Sequence, residues 1–328
     1  MATRPSTLAV PIVVALIGIY FTAQQKERQQ AIETRRAENA LEVENQRAQD
    51  EALQAYLDKM GHLILNEDLR NSPVDSQVRD VARARTLTVL EGLSPDRKAR
   101  VIQFLEEASL IVTDKNSLIK TDATPNEAVV SLLGANLEDA NLIDAFLPDA
   151  DLTEVDLRHA TLSDAHLNNA IMFRADLREA DLRGASLDQA LLTSADLQGT
   201  NLRNAFLGNA NLVKANLSSA DLSNAKLWAA DLGGANLADA SLREADLTRG
   251  VLLLDANLSR ADLTGAKLTG ANLTGANLKG SIVKVEQLAT SGSLEGATMP
   301  NGQKYKDWLK SKVQSGRIRT AAPRSGSE

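Results

Sequence analysis

One leucine returning every five residues limits what this chain can fold into. Counted from Leu132, central positions recur at that spacing to Leu252, giving 25 copies. They resume at Leu258 and run to Val283, giving 6 more. Of these 31 positions 29 are Leu, and 26 of the 31 residues two places earlier are Ala. Typical copies are Ala135-Asn136-Leu137, Ala175-Asp176-Leu177 and Ala261-Asp262-Leu263. The six-residue step from Leu252 to Leu258 places one extra residue in Leu253-Leu254-Asp255.

A five-residue spacing would wander around a helix of 3.6 residues per turn, and it does not fit a strand that alternates by two. The triplet Ala-Asp-Leu does alternate: small in, polar out, large in. The two remaining residues must then turn a corner. Each unit reads as one short side plus one corner. Coils of such sides must stack, because a single unit cannot bury its own Leu. Each buried Leu contributes roughly 1.5–3 kcal/mol against the entropy of ordering. The Asn and Asp between Ala and Leu read as a solvated surface that favours turns. Stacked coils leave open edges at both ends, so flanking segments are expected to cap them.

The A-(D/N)-L-x-x array resembles the pentapeptide-repeat proteins. That resemblance implies a mainly β fold, a right-handed four-sided parallel β-helix with 20 residues per coil, over residues 129–284. It fixes no function, since one fold serves many.

Upstream, no residue from Pro5 to Gln25 is charged, and Leu8 to Ala23 is nearly all apolar. Its length is near the lower limit for a spanning helix. Phe21-Thr22-Ala23 makes a poor cleavage site, so residues 1–25 read as a retained N-terminal transmembrane helix. Lys26, Arg28, Arg35 and Arg36 follow, and the positive-inside rule then puts the body in the cytoplasm. The expectation is a single-pass protein of a bacterial inner membrane. Residues 26–50 read as a helical stalk, and 51–128 as a small α-helical unit. Ser72-Pro73 and Ser94-Pro95 offer helix starts. The stretches Leu53-Gln54-Ala55-Tyr56-Leu57-Asp58 and Phe104-Leu105-Glu106 are similar to a membrane-anchored subgroup of bacterial pentapeptide-repeat proteins, a likeness that implies no known activity. Residues 285–314 read as a C-terminal cap, with Tyr305, Trp308 and Leu309 at helical spacing. Residues 315–328 read as a disordered tail.

Catalytic chemistry finds little support. Cys is absent, which removes disulfides and thiolate chemistry. No nucleotide-binding glycine motif or zinc-protease motif occurs. His62 reads as a helix-end residue, and His159 and His166 point outward on different sides of the coil, so no shared metal is expected. No cofactor, metal or catalytic residue is assigned, and the chain is not expected to be an enzyme. The net charge is -7. Residues 131–283 carry 12 basic and 20 acidic side chains. No segment is basic enough to make nucleic acid the expected partner.

Sorting outward residues by side exposes one uneven feature. Three sides are polar or mixed. The fourth carries Ile171, Phe173, Leu191, Val213, Val251 and Leu253, an apolar cluster that the repeat does not need. Such patches mark contacts. Either the chain's own helices cover it, or another molecule does, a second copy included. The reading is a membrane-tethered interaction or scaffold protein that binds a protein partner through the faces of the rod. The alternative is an inhibitor or protector of a topoisomerase-like enzyme, since some pentapeptide-repeat proteins imitate DNA as acidic dimeric rods. The Arg residues interleaved with Asp argue against that alternative.

Overall fold

In the computed structural model, which describes residues 9–111 and 128–314, each five-residue unit supplies one paired residue and one tight corner. The residue before the central Leu bridges in parallel to the residue twenty places on, as from Asn136 to Asp156, Asp156 to Asp176 and Asp176 to Asp196, or twenty-one where a longer corner intervenes, as from Asp231 to Leu252. The Asp156 N–H donates to the Ala135 carbonyl at 2.9 Å, and the Leu137 N–H donates to the Asp156 carbonyl at 2.7 Å. Four such bridge columns make one coil of twenty residues. At the corner the Ala N–H donates back to the preceding central Leu carbonyl, as from Ala160 to Leu157 at 3.1 Å. The second corner residue takes a left-handed φ, such as 58° at Glu179 and 60° at Asn204, as a type II turn requires. Glycine fills this position at Gly265, Gly270, Gly275 and Gly280. Most earlier corners hold non-glycine residues, each bearing a cost of about 1–2 kcal/mol that the stacked Leu core offsets. That core is tight: Leu177, Leu182 and Leu187 are fully buried, with the Ala column beside them.

Two expectations about fold class are corrected. The described residues contain no strand and no sheet, so the mainly β class and its four-sided parallel β-helix are not what the structure holds. The reason is local. Only one residue per side pairs with the coils on either side, and the chain turns at once, so consecutive paired residues never build a strand. The regular elements are helices: α1 (Ala9–Asn66), α2 (Gln77–Gly92), α3 (Pro95–Glu107), α4 (Val285–Leu288) and α5 (Tyr305–Gln314), with a 3-10 turn at Leu69–Asn71.

The transmembrane helix and the single-pass membrane location are corrected as well. None of the described helices is long and apolar enough to cross a membrane. The uncharged apolar run stops at Ala23, short of the ~20 residues a span requires. The same helix then continues through Gln24, Gln25 and Lys26. The first eight residues of the expected anchor, and the tail expected over 315–328, lie outside the described residues.

The chain divides into two compact units, Met1–Gln54 and Ala55–Glu328. The first holds the greater part of α1, with side chains such as Ile32, Leu41 and Val43 exposed. The second holds the remaining helices and the coil stack. In it Met60, Ala82, Leu90, Val101 and Leu105 form a small buried core. The Tyr56 hydroxyl shares a hydrogen bond of 3.0 Å with Thr86, and its ring meets Phe104 edge-on. Burial outweighs that hydrogen bond and pushes the Tyr56 phenol up to about 12.

Both ends of the stack are closed by side chains and loops. The first coil has no coil before it. Its Asn141 N–H meets the Pro95 carbonyl, and the Val130 N–H donates to the Leu110 carbonyl at 2.7 Å. The ammonium of Lys98, only 6% exposed, donates to the Asn136 amide oxygen and to the Glu138 carbonyl, each at 2.9 Å. At the far end the Gln287 amide donates to the Leu263 and Ala266 carbonyls, each at 2.8 Å. Lys304 donates there to the Gly296 carbonyl and the Thr298 hydroxyl. Buried Trp308 of α5 lines a pocket of 260 Å³ with Val285, Leu288 and Leu294.

Candidate interaction face

The four bridge columns differ in what they present. One is polar throughout. From Asn136 it runs through Asp156, Asp176 and Asp196 to Asn216, Asn236, Asn257 and Asn277. Arg158 grips Asp156 with two hydrogen bonds at 2.9 and 2.7 Å and also reaches Glu138 and Asp176. Arg178 repeats the arrangement on Asp176. Further along, each Asn amide donates to the side-chain oxygen one coil back, from Asn216 to Asp196 at 2.8 Å and from Asn236 to Asn216 at 3.1 Å. The arginine hydrogen bonds hold the Asp156 and Asp176 carboxyls below the usual carboxylate range, against the opposing effect of burial. This face therefore presents ion pairs and amides rather than a run of bare negative charge.

A second, mixed column carries Phe146, His166, Phe206 and Lys226. Its aromatics are partly occupied by neighbours. Phe146 meets the His166 ring at 5.6 Å, and the Arg249 guanidinium lies over Trp228 at 5.3 Å. Trp228 also covers Gly208, where an added Cβ would come within 2.2 Å of the ring. Beside this column, α3 and the first coil enclose a cleft of 390 Å³ lined by Ile102, Glu106, Ile143 and Phe146. Burial pushes the Glu106 carboxyl up, although the Phe146 N–H donates to it.

The fourth column is the apolar one. It passes from Asp151 through Ile171, Leu191, Asn211 and Asp231 to Leu252 and Asn272. Phe173 is 36% exposed and Leu191 44%, while Ile171 and Val213 are half-buried. These four of the six expected residues occupy one face. The other two do not. Val251 is 0% exposed and Leu253 1%, both inside the coil. Outward in their place stand Leu252 and Leu254, each 36% exposed.

The displacement has a clear cause. The extra residue of the six-residue step lies in Thr248-Arg249-Gly250, before Leu252, not after it. Arg249 and Gly250 take consecutive left-handed φ values of 58° and 81°. Leu247 is the last regular centre before that corner, and Leu253 is the next. A signal for this was present in the sequence. In a regular unit Ala follows the central Leu by three residues, as Ala135 follows Leu132. Ala256 stands three after Leu253 but four after Leu252.

Among the described residues, the hydrogen bonds from the helices of the second unit to the stack reach Leu133, Asn136, Glu138 and Asn141, all in the first coil, and Phe173, Leu191, Leu252 and Leu254 are exposed. The three histidines lie apart: His62 near the end of α1, exposed His159 at a corner 3.4 Å from Glu179, and exposed His166 against Phe146. Among the described residues no group of three or more His, Asp and Glu could hold a metal ion.

The family model for pentapeptide repeats matches this chain in eight copies between residues 131 and 280. HetL, a pentapeptide-repeat protein involved in heterocyst differentiation regulation in the cyanobacterium Nostoc sp. strain PCC 7120, is 34% identical over 53% of this chain and 87% of its own, with a TM-score of 0.27. The chain is a pentapeptide-repeat protein. QnrB1, a plasmid-mediated fluoroquinolone resistance protein, is 17% identical over 58% of this chain and 99% of its own, with a TM-score of 0.31. No curated protein matches this pentapeptide-repeat chain.

Proposed function

We propose that this pentapeptide-repeat protein is a non-catalytic binding or scaffold protein that engages a protein partner through the apolar face of its coil stack. One observation carries the reading. Ile171, Phe173, Leu191, Val213, Leu252 and Leu254 stand on the outside of a stack whose core is already filled by Leu and Ala. Apolar side chains kept outward on neighbouring coils, where the repeat does not require them, are the mark of a contact surface. Stacked repeats offer such surfaces along their length. The DNA-imitating alternative gains little from the polar faces, because Asp156 and Asp176 on one column and Asp181 on the next are each bonded by the arginine two residues on.

The test is site-specific photo-crosslinking in the native cell, with the reactive residue at Phe173 or at Arg203 on a polar face. Discrete adducts at 173 and none at 203 are expected. Equal yields at both positions, or none at 173, would overturn the reading.

A further inference from the structure

We propose that the apolar face pairs with the same face of a second copy, antiparallel, about a two-fold axis through the level of Asn211 and Val213. The proposal rests on the contact-face reading above and names the occupant. Its argument is the order of side chains along the column. Five successive levels are Ile171, Leu191, Asn211, Asp231 and Leu252. At about 4.8 Å per coil they span about 19 Å.

A two-fold axis at the middle level, lying in the face and perpendicular to the stack, brings level one of one copy against level five of the other. Ile171 then faces Leu252, and Phe173 faces Leu254. The two Val213 side chains meet at the axis. Leu191 faces Asp231, and Thr193 faces Gly233, where the missing side chain leaves room. No other level as centre brings both apolar clusters onto each other.

The charges on the adjoining corner follow the same symmetry. Arg174 is the corner residue after Phe173, and Asp255 is the corner residue after Leu254. Both are exposed. The axis sets Arg174 of each copy against Asp255 of the other, giving two opposite-charge pairs per dimer. Arg174 is positioned for this: its guanidinium lies over the Phe173 ring at 4.9 Å, and Glu154 is 3.6 Å away. Two unfavourable elements remain. Asp231 of each copy lies against Leu191 of the other, its carboxylate accepting from the Gly233 N–H at 2.9 Å. The exposed Lys214 side chains flank the axis on the same edge, so Lys214→Ser should tighten the pair. A face about 19 Å long offers less than the ~800 Å² per partner typical of a stable interface, so weak, concentration-dependent association is expected.

The absence of Cys makes a direct test possible with the purified full-length chain. Single-cysteine variants are oxidised at high protein concentration and resolved by mass. Val213→Cys alone should form a disulfide dimer. Phe173→Cys alone should not, nor should Leu254→Cys alone, but an equimolar mixture of the two should form the mixed dimer. Ser218→Cys on the polar face should remain monomeric. A second measurement is sedimentation equilibrium. Arg174→Asp should weaken association on the order of tenfold, and adding Asp255→Arg to the same chain should restore it. Self-crosslinking of Phe173→Cys with itself, or no dimer from Val213→Cys, would overturn the antiparallel pairing. Adducts to a different protein at Phe173 in the cell, with no Val213→Cys dimer, would remove the second copy and leave the contact face standing. No adduct of any kind would remove both.

Discussion

Asp176 lies between two arginines: Arg178 on its own side holds it with hydrogen bonds of 2.8 and 2.6 Å, and Arg158 approaches within 3.7 Å. Its carboxyl and that of Asp156 are held below the ordinary carboxylate value, chiefly by these arginine hydrogen bonds. A depressed folded-state pKa contributes stability above the unfolded value near 3.9, and that contribution is lost as pH falls through the folded value. Stability is therefore expected to be flat between about pH 5 and 7 and to fall below about pH 4. Each pair is partly exposed, so its share is at most about 1 kcal/mol. Thermal unfolding of the wild type and Asp176→Asn across this range checks the point. The variant should be less stable at neutral pH and show a shallower acid slope, and identical slopes would contradict the assignment. The Arg-after-Asp pattern was readable in the sequence at these positions. The Asn216-to-Asn277 amide ladder was not, because it depends on side chains twenty residues apart being stacked in register.

At the scale of elements, the structure depends on how α3 closes the first coil. Ser94-Pro95 announced that helix correctly, since Pro at the first position gives up an N–H that would have no partner. Ser72-Pro73 gave the same signal and misled. There the Ser72 hydroxyl donates to the Leu69 carbonyl at 2.6 Å, closing the 3-10 turn, and α2 begins only after Ser76. Nothing local in the sequence marked Lys98 as the residue that reaches into the stack. Its burial opposes its charge and lowers its pKa, while Glu138, Asp139 and Asp156 favour the charge. Lys98→Ala takes the ammonium from the Glu138 carbonyl and leaves the Asn136 amide oxygen only the Glu138 N–H, at a cost of about 1.5–3 kcal/mol. In hydrogen exchange, α3 and residues 133–145 should exchange faster, while residues 258–280 should be unaffected, because coils contact only their neighbours. A uniform increase along the whole stack would show that α3 is not a local cap.

At the scale of the whole molecule, the five-residue spacing made the coiled, Leu-filled interior legible, because only stacking can bury that Leu column. It left the pairing unit undetermined. One bridge residue per side is too short to make a strand, and a leucine count does not measure that length. The spacing also misplaced one residue, since Leu252, Leu253 and Leu254 satisfy a count of leucines equally well. Only the Leu-to-Ala interval and the corner at Gly250 decide between them. On that choice rest the outward positions of Leu252 and Leu254, the continuity of the apolar face, and its pairing with a second copy. The deciding measurement is the rate at which single cysteines at 251, 252, 253 and 254, in this otherwise Cys-free chain, react with a thiol reagent in dilute native protein. Leu252→Cys and Leu254→Cys should react at rates near those of an exposed thiol, with Val251→Cys and Leu253→Cys protected until the stack unfolds. Rapid reaction at 251 and 253 with protection at 252 would contradict the register, and with it the face.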